Sequence, residues 1–469
     1  MTAEAAIGLV MLVVLLGAIF IGVPISFTLL FLALAFGYSG LGGIVFDLAY
    51  FQIMGLMKEE LLAAVPLFIF MGFITEQAGL MERLFRAFRL LLAPMRGSLY
   101  LVVILTSTVF AMATGIVGAA VTVLGIMAAP IMIKAGYDAK LSAGTITAGG
   151  TLGILIPPSV MLVVMGPVLG VSVADLYAAA FGPGFLLAGM YIAYLMTRAF
   201  LNPSLGPPVP IEERIHSVPA MLLEVLIGTV PLLALIAATL GSILAGMATP
   251  TEAAGVGAAG SLLLMIAYGR FTWPGLQHAL HATMATSSMV LLLAVTSNIF
   301  GAVFARLGTA SWITNTLLSL EMPTTLMLVV ILILIFLLGW PFEWPAIVLV
   351  FLPIFYPVVA AMKIDLVWFG ALVAVVLQTA FLSPPVAMSA YYLKQVVRDW
   401  SLTTIYGGMF QFMVIQVLCI GILVAFPPIA TWFPETLQAA ARSQKIPDEH
   451  QKVLERQRKA PSLEEDGLK

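Results

Sequence analysis

The residues of this chain best placed to do chemistry are backbone groups laid bare by proline. "GTLGILIPPSV", residues 150–160, lies in a long apolar stretch yet carries Thr151, a Pro157–Pro158 pair and Ser159. "AFLSPPVAMS", residues 380–389, repeats the pattern, with Thr379 just before it and a Pro384–Pro385 pair inside it. Proline removes a backbone donor and its ring clashes with the preceding turn, so each pair must interrupt a helix. In hydrocarbon every freed backbone group is costly unless it is satisfied. Such a break persists where it lines a polar cavity. Half-helix N-termini then aim partial positive charge at an anion, and unwound carbonyls can hold a cation such as sodium. One break alone would read equally as a simple proline kink or a site; two in equivalent places favour a binding site.

The surroundings are membrane. Of 469 residues, 61% are hydrophobic and 9% charged, with mean hydropathy +1.10, whereas soluble domains are near a quarter charged. The class is an all-α polytopic membrane protein. A net charge of −2 leaves no basic surface for nucleic acid. Cys419, the single cysteine, excludes an internal disulfide and any cysteine-rich metal site. His278 and His281 could share a metal, but the plainer reading is two polar residues on an interfacial helix. Met1 to Glu4 lacks Lys and Arg, so the start does not read as a cleavable signal. Ala5 to Phe46 carries no charge and has room for two spans, with a turn near Pro24.

Charge marks the loops. Arg83, Arg86, Arg89 and Arg96 precede an apolar run of about 36 residues, and Lys134 and Lys140 follow it. A re-entrant hairpin puts all six cations on one side, which the positive-inside rule makes cytoplasmic. Its tip is "ATGIVG", residues 113–118. A broken span follows, then "GVSVAD" outside, then a return span to Arg198. Shifting the sequence by 227 residues places Pro130 on Pro357, Asp138 on Asp365, and Pro157–Pro158 on Pro384–Pro385. Each half thus holds about five spans, a hairpin and a Pro-broken helix; an odd span count inverts one half against the other. That is the sequence signature of a secondary transporter. Residues 1–201 form the first repeat, with a hairpin at about 98–133 and a broken span at 141–168. Residues 202–218 are a Pro-rich cytoplasmic linker. Residues 219–430 form the second repeat, with a hairpin at about 322–360 and a broken span at 366–392, and 431–469 are a polar, flexible tail. This span count puts both termini outside, although the tail's basic residues favour the cytoplasm.

Four stretches carry a resemblance: "AVPLFIFMGFITEQAGL" (64–80), "GYDAKLSAGTITAGGTLGILIPPS" (136–159), "ATPTEAAGVGA" (248–258) and "FLSPPVAMSAYYLK" (381–394). Over about residues 5–430 the chain resembles the large membrane subunit of the tripartite ATP-independent periplasmic (TRAP) transporters. The resemblance implies a bacterial or archaeal inner-membrane protein with two partners, a small four-helix membrane subunit and a periplasmic solute-binding protein. It also implies sodium as coupling ion, no cofactor, an organic acid such as a dicarboxylate as substrate, and an elevator-type mechanism. The residues it places at ion or substrate sites are Thr114, Gly115 and Gly118 at the first hairpin tip and Thr151, Gly153, Pro157, Pro158 and Ser159 at the first break. In the second half they are Trp340, Pro341, Glu343 and Pro345 at the tip, with Gln378, Thr379, Ser383, Pro384 and Pro385 at the break. Glu343 stands where an Asp is more typical, and the first tip lacks the serine-rich, acidic form of many relatives.

A carboxylate in a hairpin tip is expensive unless paired or bound to a cation, which marks Glu343 as functional or water-exposed. Glu252 reads as structural, because "TPTE", Thr249 to Glu252, is a capping box with proline at the first helical position. Asp138 and Asp365 read as helix caps. Residues 45–62 and 272–284 read as amphipathic arms lying along the interface. The alternatives are a stand-alone sodium/dicarboxylate symporter, a channel and a membrane-embedded enzyme. No ring-forming acidic or carbonyl motif supports a channel, and no HExxH, GxSxG or Walker A stretch supports an enzyme or self-powered transport.

Overall fold

A computed structural model describes residues 2–208, 218–384, 387–440 and 442. Among these, every regular element is helical. The first half runs α1 (Ala3–Phe20), α2 (Ile25–Leu41), α3 (Ile44–Met57), a 3-10 turn (Glu60–Ala63) and α4 (Ala64–Gln77). It continues α5 (Leu80–Leu92), α6 (Ser98–Thr114), α7 (Val117–Lys134), α8 (Ala139–Leu155), α9 (Val160–Leu169) and α10 (Val173–Leu201). The second half opens with α11 (Val218–Ile236) and α12 (Ser242–Leu244), joined by a π-turn, then α13 (Pro250–Ala267), α14 (Trp273–Arg306) and α15 (Thr309–Leu318). After α16 (Thr324–Leu338), α17 (Trp344–Ala346) passes through a second π-turn into α18 (Leu352–Ala361). Then come α19 (Leu366–Ala380), α20 (Met388–Val396), α21 (Leu402–Ala425) and α22 (428–440).

The repeat seen in four sequence markers extends to the helix ends. Val117 and Lys134, which bound α7, correspond under the same shift to Trp344 and Ala361, the start of α17 and the end of α18. Ala139, first in α8, corresponds to Leu366, first in α19, and Leu169, last in α9, to Val396, last in α20. The caps repeat too. Asp138 accepts a hydrogen bond from Leu141 N at 2.8 Å and Asp365 from Trp368 N at 2.7 Å. Each satisfies an amide that the first turn leaves without a partner. Asp138→Ala and Asp365→Ala should therefore each cost about 1 kcal/mol of stability. A thermal melt in detergent reads this as a lowered midpoint, and Asp→Ser at either site should restore it; an unchanged midpoint in the alanine variants would remove the caps from the account.

Contacts between the halves come in exchanged pairs. α8 packs on α21 as α19 packs on α10, α4 on α13 as α14 on α2, α7 on α20 as α18 on α9, and α5 on α11 as α15 on α1. A two-fold axis relating the halves requires this, and an odd number of spans per half places that axis in the membrane plane. The contacts also sort the helices into two bodies. α6–α10 and α16–α21 enclose the hairpins and breaks, and α1–α5 with α11–α15 pack around them.

Among the described residues nine helices, or ten with the pair α8–α9 counted as one bent span, are long and apolar enough to cross a membrane. Two of these are the return arms of the hairpins, while α2 and α19 fall just short in length. The arms differ from expectation in one respect. α3 is a separate helix, but its counterpart is simply the first part of the unbroken 34-residue α14. The C-terminal segment differs as well. α22 is helical across residue 431 and is anchored: Gln438 Nε2 donates to Asp175 Oδ2 at 3.0 Å, and Phe433 meets Phe181 edge-on. Most of the linker, 209–217, and of the tail, 443–469, lies outside the described residues.

Candidate functional site

The first hairpin turns at Gly115, whose φ of +62° is a left-handed cap that only glycine adopts without strain. This tip rests on the first break. A Cβ at Gly115 would lie 3.3 Å from Pro158 O, and one at Gly153 would lie 3.8 Å from Ile116 N. The break spans 156–159, and α8 and α9 meet there at 43°. Thr151 and Gly153 sit inside the last turns of α8 rather than in the break. Pro157 and Pro158 are buried, their peptide bond is cis, and Ser159 Oγ donates to Ile154 O at 2.6 Å. Thr114 Oγ1 donates back to Phe110 O at 3.2 Å.

The second hairpin tip repeats the arrangement. Trp340 and Pro341 form the turn, Glu343 takes the N-cap position of α17 without capping it, and Pro345 occupies the first helical turn. Gly339 abuts the end of α19, where an added Cβ would meet Ala380 Cβ at 2.8 Å. Gln378 and Thr379 lie in the last turn of α19, and Thr379 Oγ1 donates to Val376 O at 2.5 Å. Ser383 is buried with its hydroxyl unpartnered, as is Gln378 Oε1. Pro384 is exposed, and Pro385 lies outside the described residues.

Both tips and both breaks converge on one cavity of about 350 Å³. Of the residues singled out from sequence, Gly115, Gly118 and Glu343 line it. Thr114, Thr151, Gly153, Pro157, Pro158, Ser159, Gln378, Thr379 and Ser383 stand buried behind that wall. Four helix starts face the cavity, through Val117 of α7, Val160 of α9, Trp344 of α17 and Met388 of α20. Their aligned dipoles place partial positive charge there, although Ser389 N and Ala390 N of α20 already donate to Phe381 O and Ala387 O, and at α17 Pro345 has no N–H and Ala346 N donates to Glu343 O. Glu343 is the one charged residue in the lining, which contains no Lys or Arg. An anion entering would therefore be met by backbone amides. Tyr392 and Met388 also line the cavity, as do Thr286, Met289 and Val290 of α14. The first two belong to the quoted "FLSPPVAMSAYYLK" stretch; nothing in the apolar run of α14 distinguishes the other three. Glu252 is structural, as its spacing implied: Thr249 Oγ1 accepts from Glu252 N at 3.2 Å, and Glu252 Oε2 accepts from Thr249 N at 2.8 Å.

Two interrupted helices and two helical hairpins around a shared cavity are the architecture of a multi-pass membrane transport protein. Comparison with known proteins narrows this. The family model described as "Tripartite ATP-independent periplasmic transporter, DctM component" matches residues 10–429, and the chain belongs to that family. It is 31% identical over 425 residues to the sialic acid TRAP transporter large permease protein SiaM of Vibrio cholerae, covering 90% of this chain and 96% of that one. It is 26% identical over 431 residues to the C4-dicarboxylate TRAP transporter large permease protein DctM of Rhodobacter capsulatus, covering 89% and 96% respectively. The fold is similar to that of the Alcanivorax borkumensis YdaH transporter, with a TM-score of 0.58 at 15% identity over 83% of this chain and 89% of that one.

Proposed function

We propose that this chain is the permease of a sodium-coupled uptake system for an organic acid, a carboxylate handed over by a periplasmic binding protein. A small four-helix membrane subunit completes the assembly, and the lipid bilayer surrounds both. The observation that carries this reading is the set of four helix starts facing one cavity without a cationic side chain. Such a site suits a carboxylate, and its volume falls in the range of small-molecule pockets. Two relatives are named for carboxylic acids, sialic acid and C4-dicarboxylates.

Sodium coupling has its own support. Gln378 Oε1 and Ser383 Oγ are buried oxygens without partners beside the second break, of the hard-oxygen type that suits an alkali cation. Glu343 adds a reason for coupling, since a second anion is favoured in a cavity holding a carboxylate only when a cation enters with it. An elevator step agrees with the two packed bodies, one enclosing hairpins and breaks and the other surrounding it.

Proteoliposomes holding the chain, its small partner and the binding protein test this, with the sodium gradient imposed or withheld. Uptake of organic acids that needs both the gradient and the binding protein establishes the reading. Uptake that persists without the binding protein moves the chain to the stand-alone symporters; uptake indifferent to sodium removes the coupling. In the same assay Glu343→Gln should raise the half-saturating sodium concentration roughly tenfold, the worth of about 1.4 kcal/mol. A sodium dependence identical to the parent's would take Glu343 out of ion binding.

A further inference from the structure

The two broken helices touch through a polar pair that joins equivalent positions of the two halves. Gln378 Nε2 donates to Thr151 Oγ1 at 3.0 Å, and the residues are 227 apart, the repeat shift itself. Each lies six residues before the first proline of its break. Equivalent residues can meet only beside the axis that relates them, so this contact marks the pseudo-two-fold. Both side chains are fully buried. Thr151 Oγ1 spends its own proton on Ala148 O at 2.8 Å, which leaves its lone pair to receive the amide.

Each partner belongs to a rigid unit. On α8, a Cβ at Gly150 would lie 2.3 Å from Val121 of α7 and one at Gly149 would lie 2.6 Å from Ser107 Oγ of α6, so the first hairpin clamps this helix. α19 is held against the second hairpin through Gly339 and Ala380. Gln378 and Thr379 apart, α19 is built of apolar residues, most of them aliphatic. Aliphatic contact is non-directional and leaves two helices free to slip by part of a turn. A buried hydrogen bond is directional and fixes their register.

We propose that Gln378 is a positioning residue, its amide locking the two hairpin-and-break units in register so that α9 and α20 start at a fixed separation across the cavity. The pair acts on the sodium-coupled site proposed above and rests on that reading for its transport consequence. With the lock removed, the two breaks bind their ligands independently.

The test uses cysteines at Val160 and Met388, the first residues of α9 and α20, in a Cys419→Ala background, joined by bismaleimides of graded length. With Gln378 and Thr151 intact, the yield should peak sharply at one length. Gln378→Leu and Thr151→Val should broaden that peak. Thr151→Ser, which keeps the hydroxyl, should keep it sharp. In sodium-driven uptake without the added cysteines, Thr151→Val, which leaves Gln378 Oε1 in place, should raise half-saturating sodium roughly tenfold, the scale of one buried hydrogen bond with its partner left unpaired. The Thr151→Val/Gln378→Leu double variant should be no worse than Gln378→Leu alone. A sharp peak retained in Gln378→Leu, or additive losses in the double variant, overturns the proposal. If the parent's uptake ignores sodium, the coupling reading falls, while the cross-linking profile still decides the pair.

Discussion

Replacing Pro157 and Pro158 together with alanine should reduce uptake by about two orders of magnitude, the scale on which a misplacement of about 1 Å at a site acts. The chain should still insert and fold. Each proline disfavours a helix interior by about 3 kcal/mol relative to alanine, so the double change removes the main bias against joining α8 to α9. Two N–H donors return, and the gap at 156–159 closes towards one continuous helix. Val160 then ceases to be a helix start, and the cavity loses one of its four positive ends. The first hairpin tip also loses its seat, because a Cβ added at Gly115 would lie only 3.3 Å from Pro158 O. Uptake in proteoliposomes, normalised to inserted protein, measures the loss, and hydrogen exchange at 156–160 should show new protection. Parental uptake in the double-alanine chain would mean that the break is only a kink.

Gly408→Val should prevent accumulation of folded protein. Helices α8 and α21 cross with backbones in contact: a Cβ at Gly408 would lie 2.0 Å from Lys140 O and 2.7 Å from Gly144 N. Both obstacles are main-chain atoms that cannot rotate away. Opposite them, a Cβ at Gly144 would strike the Phe412 ring at 2.6 Å. Small residues permit this close approach, the usual device of packed membrane helices, and forcing them apart costs about 3 kcal/mol or more. Gly421→Ala on the same helix has nothing within 4 Å of the new methyl and serves as the control. Fluorescence-detected size exclusion should show a collapsed peak for Gly408→Val and a parental one for Gly421→Ala. Equal peaks would refute the crossing.

The sequence was most legible where a residue type has one structural use. The Pro157–Pro158 pair, Asp138, Asp365 and the Thr249–Glu252 box each have a meaning set by backbone chemistry, and each reappears in the matching place. Glycine at the first hairpin tip belongs to the same group. Legibility failed where position depends on contacts far along the chain. Thr286, Met289 and Val290 line the cavity because α14 packs on the return arm of the second hairpin; in sequence they match their exposed neighbours. The π-turns at Ala237–Gly241 and Ile347–Phe351 carry no marker residue. α22 was hidden by its polar residues Glu435, Thr436 and Gln438, since the anchoring Phe433 means little until Phe181 is known to face it. The candidate ligands divide the same way. Sequence pointed to the breaks, but only the fold shows that Gly115, Gly118 and Glu343 form the wall and that Thr151 and Gln378 meet behind it.

The unequal arms give the molecule a mechanical handedness. α14 runs unbroken for 34 residues, while its counterpart is jointed between α3 and α4 by a 3-10 turn that follows Lys58 and Glu59. A continuous helix carries a bending load along its whole length, as a beam does; a joint sheds torque and permits rotation. A displacement applied at one end would reach the cavity as a push along α14, through Thr286 and Met289. On the other side the same displacement would be absorbed as a change of angle. Two halves built on one plan thus differ in stiffness, one a beam and the other a joint.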